Sequence, residues 1–256
     1  NRMDEFQSLV NRSHKCQLGV IIDFVPNHVA RQYKSLNKPD AVTDLGNDDT
    51  SKAFDPQNNF YYIPDHPFNI PAEYQPPISQ KAEDYVEMPA KASGNDVFSP
   101  SPSKDDWFET IKLNYGIDFR DHSFHFEPIP DTWYKMKEIL LFWASKGIDG
   151  FRCDMAEMVP TAFWEWVIPE IKQKYQKVLF IAEVYDPTKY HSYLSSGFDF
   201  LYDKVQLYDT LKKIIQGHSS ADELTQVWQQ QEGITNQMLR FLENHDEQRI
   251  ASPYFA

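Results

Sequence analysis

The 256-residue sequence carries 38 acidic against 25 basic side chains, a formal net charge of −13, and is 41% hydrophobic and 25% charged. That balance fits a globular chain able to bury a core and excludes disorder, while the acidic excess and the lack of a basic stripe exclude nucleic acid as a partner. No stretch reaches the roughly 18 apolar residues of a membrane span.

Met3, Phe6, Leu9 and Val10 recur at helical spacing, and Gly19 punctuates the turn into an apolar strand over Val20–Val25. From Pro26 to about Pro130 the periodicity dissolves into Pro, Asn, Asp and Tyr, far longer than a plain connection. Such a length implies a lid or subdomain. A helix opens at Asp131, the expected N-cap, carries Trp133, Met136, Leu140 and Trp143 on one face, and stops at Gly147. Strand Ile148–Asp154 follows. A helix over Phe163–Tyr175, bent near Pro169, leads to the apolar strand Val178–Ala182. A short strand at Phe198–Tyr202, two helices from about Leu207 and Ala221, and a last strand at Gln237–Glu243 complete the pattern. Cys16 and Cys153 lack metal-ligand spacing and are expected to be small, buried and apolar.

Alternating helices and nearly continuous apolar strands predict a parallel sheet covered on both faces, as a barrel or a doubly wound sheet. Polar residues collect where each strand ends: Asp23 to His28, Arg152 and Asp154, Glu183, then Asn244-His245-Asp246. Convergence of many strand ends on one mouth favours a barrel, and no Gly-x-Gly-x-x-Gly phosphate loop is present.

In a strand of period two, Arg152 and Asp154 share a side, so a guanidinium neighbours a carboxylate and favours its anion, as a nucleophile requires. A structural ion pair is the plain alternative. Glu183 closes an apolar run, and desolvation there would suit a general acid; an exposed loop Glu is the plain alternative. Asn244-His245-Asp246 reads as a site or as a turn. At the first strand end Asp23 is placed to orient neighbours and His28 to bond a hydroxyl, although a lone His is usually structural.

Together and in this order, these segments resemble the four signature regions of the alpha-amylase superfamily of glycoside hydrolases. The resemblance covers nearly the whole chain. It implies an α/β fold, a (β/α)₈ TIM barrel, here incomplete with about strands 3 to 7 in residues 1–29 and 116–256. It also implies a domain B insertion over 30–115, with Lys112-Leu113-Asn114-Tyr115 resembling the signature that closes that domain. Asp154 would be the nucleophile, Glu183 the general acid and base, and Asp246 the third carboxylate, holding sugar hydroxyls. Arg152 would orient Asp154, His28 and His245 would bind the attacked glucose unit, and Asp23 and Asn27 would support the framework. The expected substrate is an alpha-1,4 glucan such as starch or a maltooligosaccharide. Hydrolysis leads, glucosyl transfer is the close alternative, and a non-catalytic glycan-binding relative is the third.

Where many amylases carry a Lys-His pair after the nucleophile, this chain has Glu157 and Met158, which leaves the preference on the leaving-group side open. No organic cofactor is expected and no metal ligand is assigned, although in many relatives the position of Asn27 binds a structural calcium. Five of eight strands would leave an open sheet, expected to self-associate and to be weakly active or inactive alone.

Overall fold

The computed structural model describes residues 1–35, 38, 42–73 and 85–255. The remainder of the 30–115 insertion lies outside the described residues. The chain divides into two compact units, Asn1–Phe24 with Trp143–Ala256, and Val25–Phe142.

Helix α1 (Arg2–Lys15) opens where the Asn1 side chain accepts from the Met3 N–H, with Asp4 and Glu5 in its first turn and Arg12, His14 and Lys15 in its last. This placement complements the helix dipole. Strand β1 (Ile21–Phe24) follows. The second unit holds β2 (His28–Ala30), β3 (Tyr62–Ile63), β4 (Ala90–Lys91), β5 (Thr110–Lys112), β6 (Ile117–Asp118) and β7 (Ser123–Phe124). Thus, among its described residues, the segment without periodicity contains three small antiparallel ladders, β2–β5, β3–β4 and β6–β7. Strands of two or three residues are too short to print an alternating pattern. Side chains do much of the backbone satisfaction there: Asp48 accepts from the N–H groups of Asn59 and Phe60 and from the Tyr62 hydroxyl. Buried Arg31 pairs with Glu87 at 2.7 Å and lies over the Phe68 ring.

Helix α2 (Asp131–Ala144) begins at Asp131 itself, and its buried residues Trp133, Met136, Leu140 and Ala144 follow helical spacing. The Asp131 carboxylate accepts from Asn59 Nδ2 and pairs with Lys135 one turn on.

The first unit continues with β8 (Gly150–Cys153), α3 (Thr161–Lys174), β9 (Leu179–Ala182), α4 (Tyr190–Ser195), β10 (Phe200–Tyr202), α5 (Asp209–Ile215), α6 (Glu223–Gln230) and β11 (Met238–Leu239). Pro169 sits inside α3 without ending it. The five strands form one sheet in the order β1-β8-β9-β10-β11, with every pair parallel. Sheet order follows chain order without reversal, so there is no switch point of the doubly wound kind. The winding is that of a barrel, but among the described residues β1 and β11 are unpaired on their outer sides and the barrel is not closed.

Register fixes the two faces. Phe151 pairs with Phe180, and their rings lie 5.5 Å apart. On that face Trp164 of α3 meets Phe24 at 6.4 Å and Phe198 at 4.8 Å, making an aromatic core with the buried Val167, Ile168 and Ile171. Asp23, Arg152 and Ile181 align on the opposite face.

Two expectations are corrected. The last strand shrinks from Gln237–Glu243 to Met238–Leu239, because its ladder partner β10 ends at Tyr202, opposite Leu239. Cys16 is exposed just after α1, whereas Cys153 is buried as expected. The Cys16 side chain follows the last helical turn and never reaches a packed face.

Candidate active site

Strands β8 and β9 end together, and the next residue of each points to the face that carries Arg152. The Asp154 N–H donates to the Phe24 carbonyl and the Glu183 N–H to the Cys153 carbonyl, extending the ladder by one residue. Gly150 starts β8 because a side chain there would bring its Cβ to 2.8 Å from the Leu179 carbonyl oxygen. Close strand packing therefore requires glycine.

Arg152 is the hub. Its Nη1 donates to Asp154 Oδ1 at 2.7 Å and lies 3.7 Å from Asp23, while Nη2 lies 2.9 Å from Glu183 Oε1 and 3.8 Å from Asp246 Oδ2. Nε donates to the Tyr202 hydroxyl at 3.2 Å, with the guanidinium over that ring. The Arg152 and Glu183 side chains are 6% and 3% exposed, against 21% for Asp154 and 50% for Asp246. A buried pair is thus bordered by carboxylates that a ligand can reach. Burial opposes the Arg152 charge, but Glu183 foremost, with Tyr202 and Asp154, outweighs it and holds the guanidinium above its ordinary pKa.

Glu183 is held on both oxygens. Oε2 accepts from the Met155 N–H at 2.8 Å, and Oε1 accepts from the Tyr185 hydroxyl. Met155 adopts a left-handed backbone, φ 43°, in the turn after Asp154, a conformation uncommon for a residue with a side chain. That turn aims its N–H at Glu183. Asp246 lies beyond β11, where Asn244 Oδ1 accepts from the N–H groups of Asp246 and Glu247, so this tripeptide is a turn rather than a strand end. His245 Nε2 sits 3.1 Å from Asp246.

The structure therefore brings together Asp23, Arg152, Asp154, Glu183, His245 and Asp246. Asn27 and His28 belong to the second unit and have their own partners: Asn27 Nδ2 donates to the Gly94 carbonyl, and Lys112 donates to Asn27 Oδ1. Three neighbours escaped the sequence reading, namely Met155, Tyr185 and Tyr202. Tyr185 could have been found by carrying strand alternation two residues past Glu183. Tyr202 ends a strand at the same rim. No pattern marks a backbone donor such as Met155. Glu157, in place of the expected Lys, accepts from the Asp186 N–H and lies 3.8 Å from Lys189. Among the described residues, no group of three or more His, Cys, Asp and Glu side chains is arranged to hold a metal ion.

Residues 2–255 match the family model of the alpha amylase catalytic domain. Among curated proteins, the alpha-1,4-glucan:maltose-1-phosphate maltosyltransferase of Cereibacter sphaeroides is 38% identical over 61 residues, 24% of this chain and 10% of that protein. The protein of the same name from Methylacidiphilum infernorum is 42% identical over 57 residues, 22% of this chain and 8% of that protein. Among solved structures, an alpha-amylase from Lactobacillus plantarum superposes with a TM-score of 0.56 at 22% identity, over 95% of this chain and 46% of that one. A cyclomaltodextrinase gives 0.60 at 21% identity, over 95% and 35%. At such identity the likeness carries the fold, that of a TIM-barrel-like sheet. The chain spans less than half of these solved structures, and the matched stretches span about a tenth of the curated relatives.

Proposed function

The chain belongs to the alpha-amylase family, and on that premise we propose that it is part of the catalytic domain of a retaining enzyme cleaving alpha-1,4-glucosidic bonds in starch or maltooligosaccharides. In this reading β1 and β8 to β11 are the third to seventh strands of a (β/α)₈ barrel, and residues 30–115 are domain B.

The observation that carries the reading is the single guanidinium of Arg152 in contact with both Asp154 and Glu183. Two carboxyl groups tied to neighbouring nitrogens of one planar group are held close, in keeping with the roughly 5 to 5.5 Å separation used by retaining glycosidases. Glu183 gives its proton to the glycosidic oxygen as Asp154 attacks the anomeric carbon. The carbon–oxygen bond breaks, the leaving sugar departs with the proton, and a glycosyl ester forms on Asp154. Glu183, now ionised, takes a proton from the incoming water or sugar hydroxyl, whose oxygen displaces Asp154. Two inversions retain the alpha configuration. Asp246, half exposed beside His245, is placed to accept bonds from sugar hydroxyls, and His28 is assigned the same duty. Arg152 keeps Asp154 anionic and oriented, while Asp23 and Asn27 support the frame.

Transfer by the same double displacement is the second reading, favoured by the maltosyltransferase names of the relatives that share up to 42% identity with short stretches of this chain. The test uses the full-length protein beside Asp154→Asn, with soluble starch, maltoheptaose, and maltoheptaose plus maltose 1-phosphate. Shorter sugars that vanish with Asp154→Asn support hydrolysis. Longer sugars, with phosphate released, support transfer. A wild type inert on all three overturns the catalytic assignment and leaves glycan binding.

A further inference from the structure

In many relatives the position of Asn27 binds a structural calcium, yet the described residues around Asn27 bond to one another without a metal. Asn27 is wholly buried. Its Oδ1 accepts from Lys112 Nζ at 2.5 Å, and its Nδ2 donates to the Gly94 carbonyl at 2.8 Å and lies 3.2 Å from His28 Nδ1. The same Lys112 Nζ lies 2.7 Å from Asp96 Oδ1, and its side chain is 3% exposed. Phe119 offers its ring face 5.8 Å from the ammonium. Backbone geometry locks the arrangement: Lys112 pairs with His28 in the β2–β5 ladder, and the Leu113 N–H donates to the Asn27 carbonyl. A Cβ on Gly94 would come within 2.9 Å of the His28 Cβ, so this backbone is closely packed against the histidine.

We propose that the ammonium of Lys112 is the built-in structural cation of this site, holding Asn27 and Asp96 as a calcium ion would and fixing the segment that carries His28 without a metal.

Calcium takes six to eight oxygen ligands at about 2.3–2.6 Å. Among the described residues, several candidate oxygens are already engaged. Asn27 Oδ1 and Asp96 Oδ1 face the ammonium, Asp48 is occupied by Asn59, Phe60 and Tyr62, and Asp49 accepts from the Ser51 N–H and hydroxyl. A divalent ion entering beside a buried ammonium would meet like charge in a medium that screens it poorly. Burial draws the Lys112 pKa below its ordinary value, and the charge and hydrogen bond of Asp96 oppose that pull. Removing the lysine would leave a buried amide oxygen and a carboxylate unneutralised.

The stability arm of the test is independent of the catalytic reading; only the role of His28 rests on it. Thermal melting of the full-length protein is followed after EDTA treatment and again in excess calcium chloride, for the wild type, Lys112→Met and Asp96→Asn. The expected result is a wild-type Tm unchanged by either addition and a lower Tm in both variants. In Lys112→Met, KM should rise more than kcat falls, as His28 loses its anchor. A wild-type Tm that drops in EDTA, recovers with calcium, and loses that response in Asp96→Asn overturns the proposal. A drop of equal size in wild type and Asp96→Asn comes from a metal elsewhere and agrees with it. Should Lys112→Met fail to fold, Asp96→Asn and the wild type decide the matter, and a Tm unmoved by Asp96→Asn also overturns it.

Discussion

Tyr185 donates its hydroxyl hydrogen to Oε1 of Glu183, the oxygen that also faces Nη2 of Arg152. Its removal takes away one directional constraint on the carboxyl while leaving the ion pair and the Met155 N–H in place. Hydrogen bonds to charged groups contribute about 1.5–3 kcal/mol. Tyr185→Phe in the full-length protein is therefore expected to lower kcat by about tenfold and Tm by a few degrees, with KM little changed. A KM effect with unchanged kcat would show that the hydroxyl binds substrate rather than positioning Glu183.

Arg152 reaches four carboxylates because a guanidinium has separate nitrogens in a fixed plane. A lysine ammonium, one point charge on a flexible stem, cannot hold Asp154 and Glu183 at once. Arg152→Lys should cost about 100-fold or more in kcat/KM, the scale of misplacing a reacting group by about 1 Å. Arg152→Met leaves the Glu183 carboxylate buried without its cation and should destabilise the fold by about 3–5 kcal/mol. Chemical denaturation of the two variants separates the effects: equal destabilisation would mean that keeping a positive charge at this hub, without the guanidinium's geometry, does nothing for folding.

Strand ends carried most of what could be read in advance. Period two placed Arg152 and Asp154 together and Glu183 one residue past a buried run, because fully covered parallel strands leave polar residues only at their tips. Asp246 was found by composition, but its route to Arg152 runs through an Asn244 turn that strand alternation does not describe. The second unit was opaque for a physical reason. Its ladders are two or three residues long, and its order comes from side chains such as Asp48 and Arg31 binding backbone distant in sequence. Hydrophobic periodicity records a face turned to a core, and such a unit has few repeated faces.

Several tyrosines couple the fold to alkaline pH. Burial is the first cause that raises the pKa of Tyr61, Tyr62, Tyr85, Tyr185, Tyr190 and Tyr193, with nearby carboxylates adding to it. Unfolded phenols ionise near pH 10, so above that the unfolded state has lost protons that the folded state keeps. Stability from these groups is full below about pH 10 and falls as pH rises further. Full phenolate absorbance should then be reached only together with loss of circular dichroism, above pH 10. Phenolate absorbance equivalent to all 14 tyrosines with the dichroism intact would refute this.

Asp203 supplies a pH dependence of the opposite usefulness. It is fully buried, and its Oδ1 accepts from the Leu207 N–H at 3.0 Å and from Gln231 Nε2 at 2.8 Å. Oδ2 has no hydrogen-bond partner among the described residues, and Arg240 Nε is 3.8 Å away on a side chain 42% exposed. Burial raises the Asp203 pKa, and the bonds from Gln231 and Leu207 and the charge of Arg240 do not cancel it. A carboxyl with a raised folded pKa favours the folded state below its unfolded value, near 3.9, and loses that contribution as pH rises through the folded value. Asp203→Asn keeps an oxygen for Leu207 and Gln231 and removes the buried charge. Denaturation at a series of pH values should show the variant more stable than wild type at pH 7, with the difference shrinking toward pH 4. Lower stability of the variant at pH 7 would mean that the Arg240 attraction outweighs desolvation. The half-exposed position of Arg240, where water screens its charge, argues against that outcome.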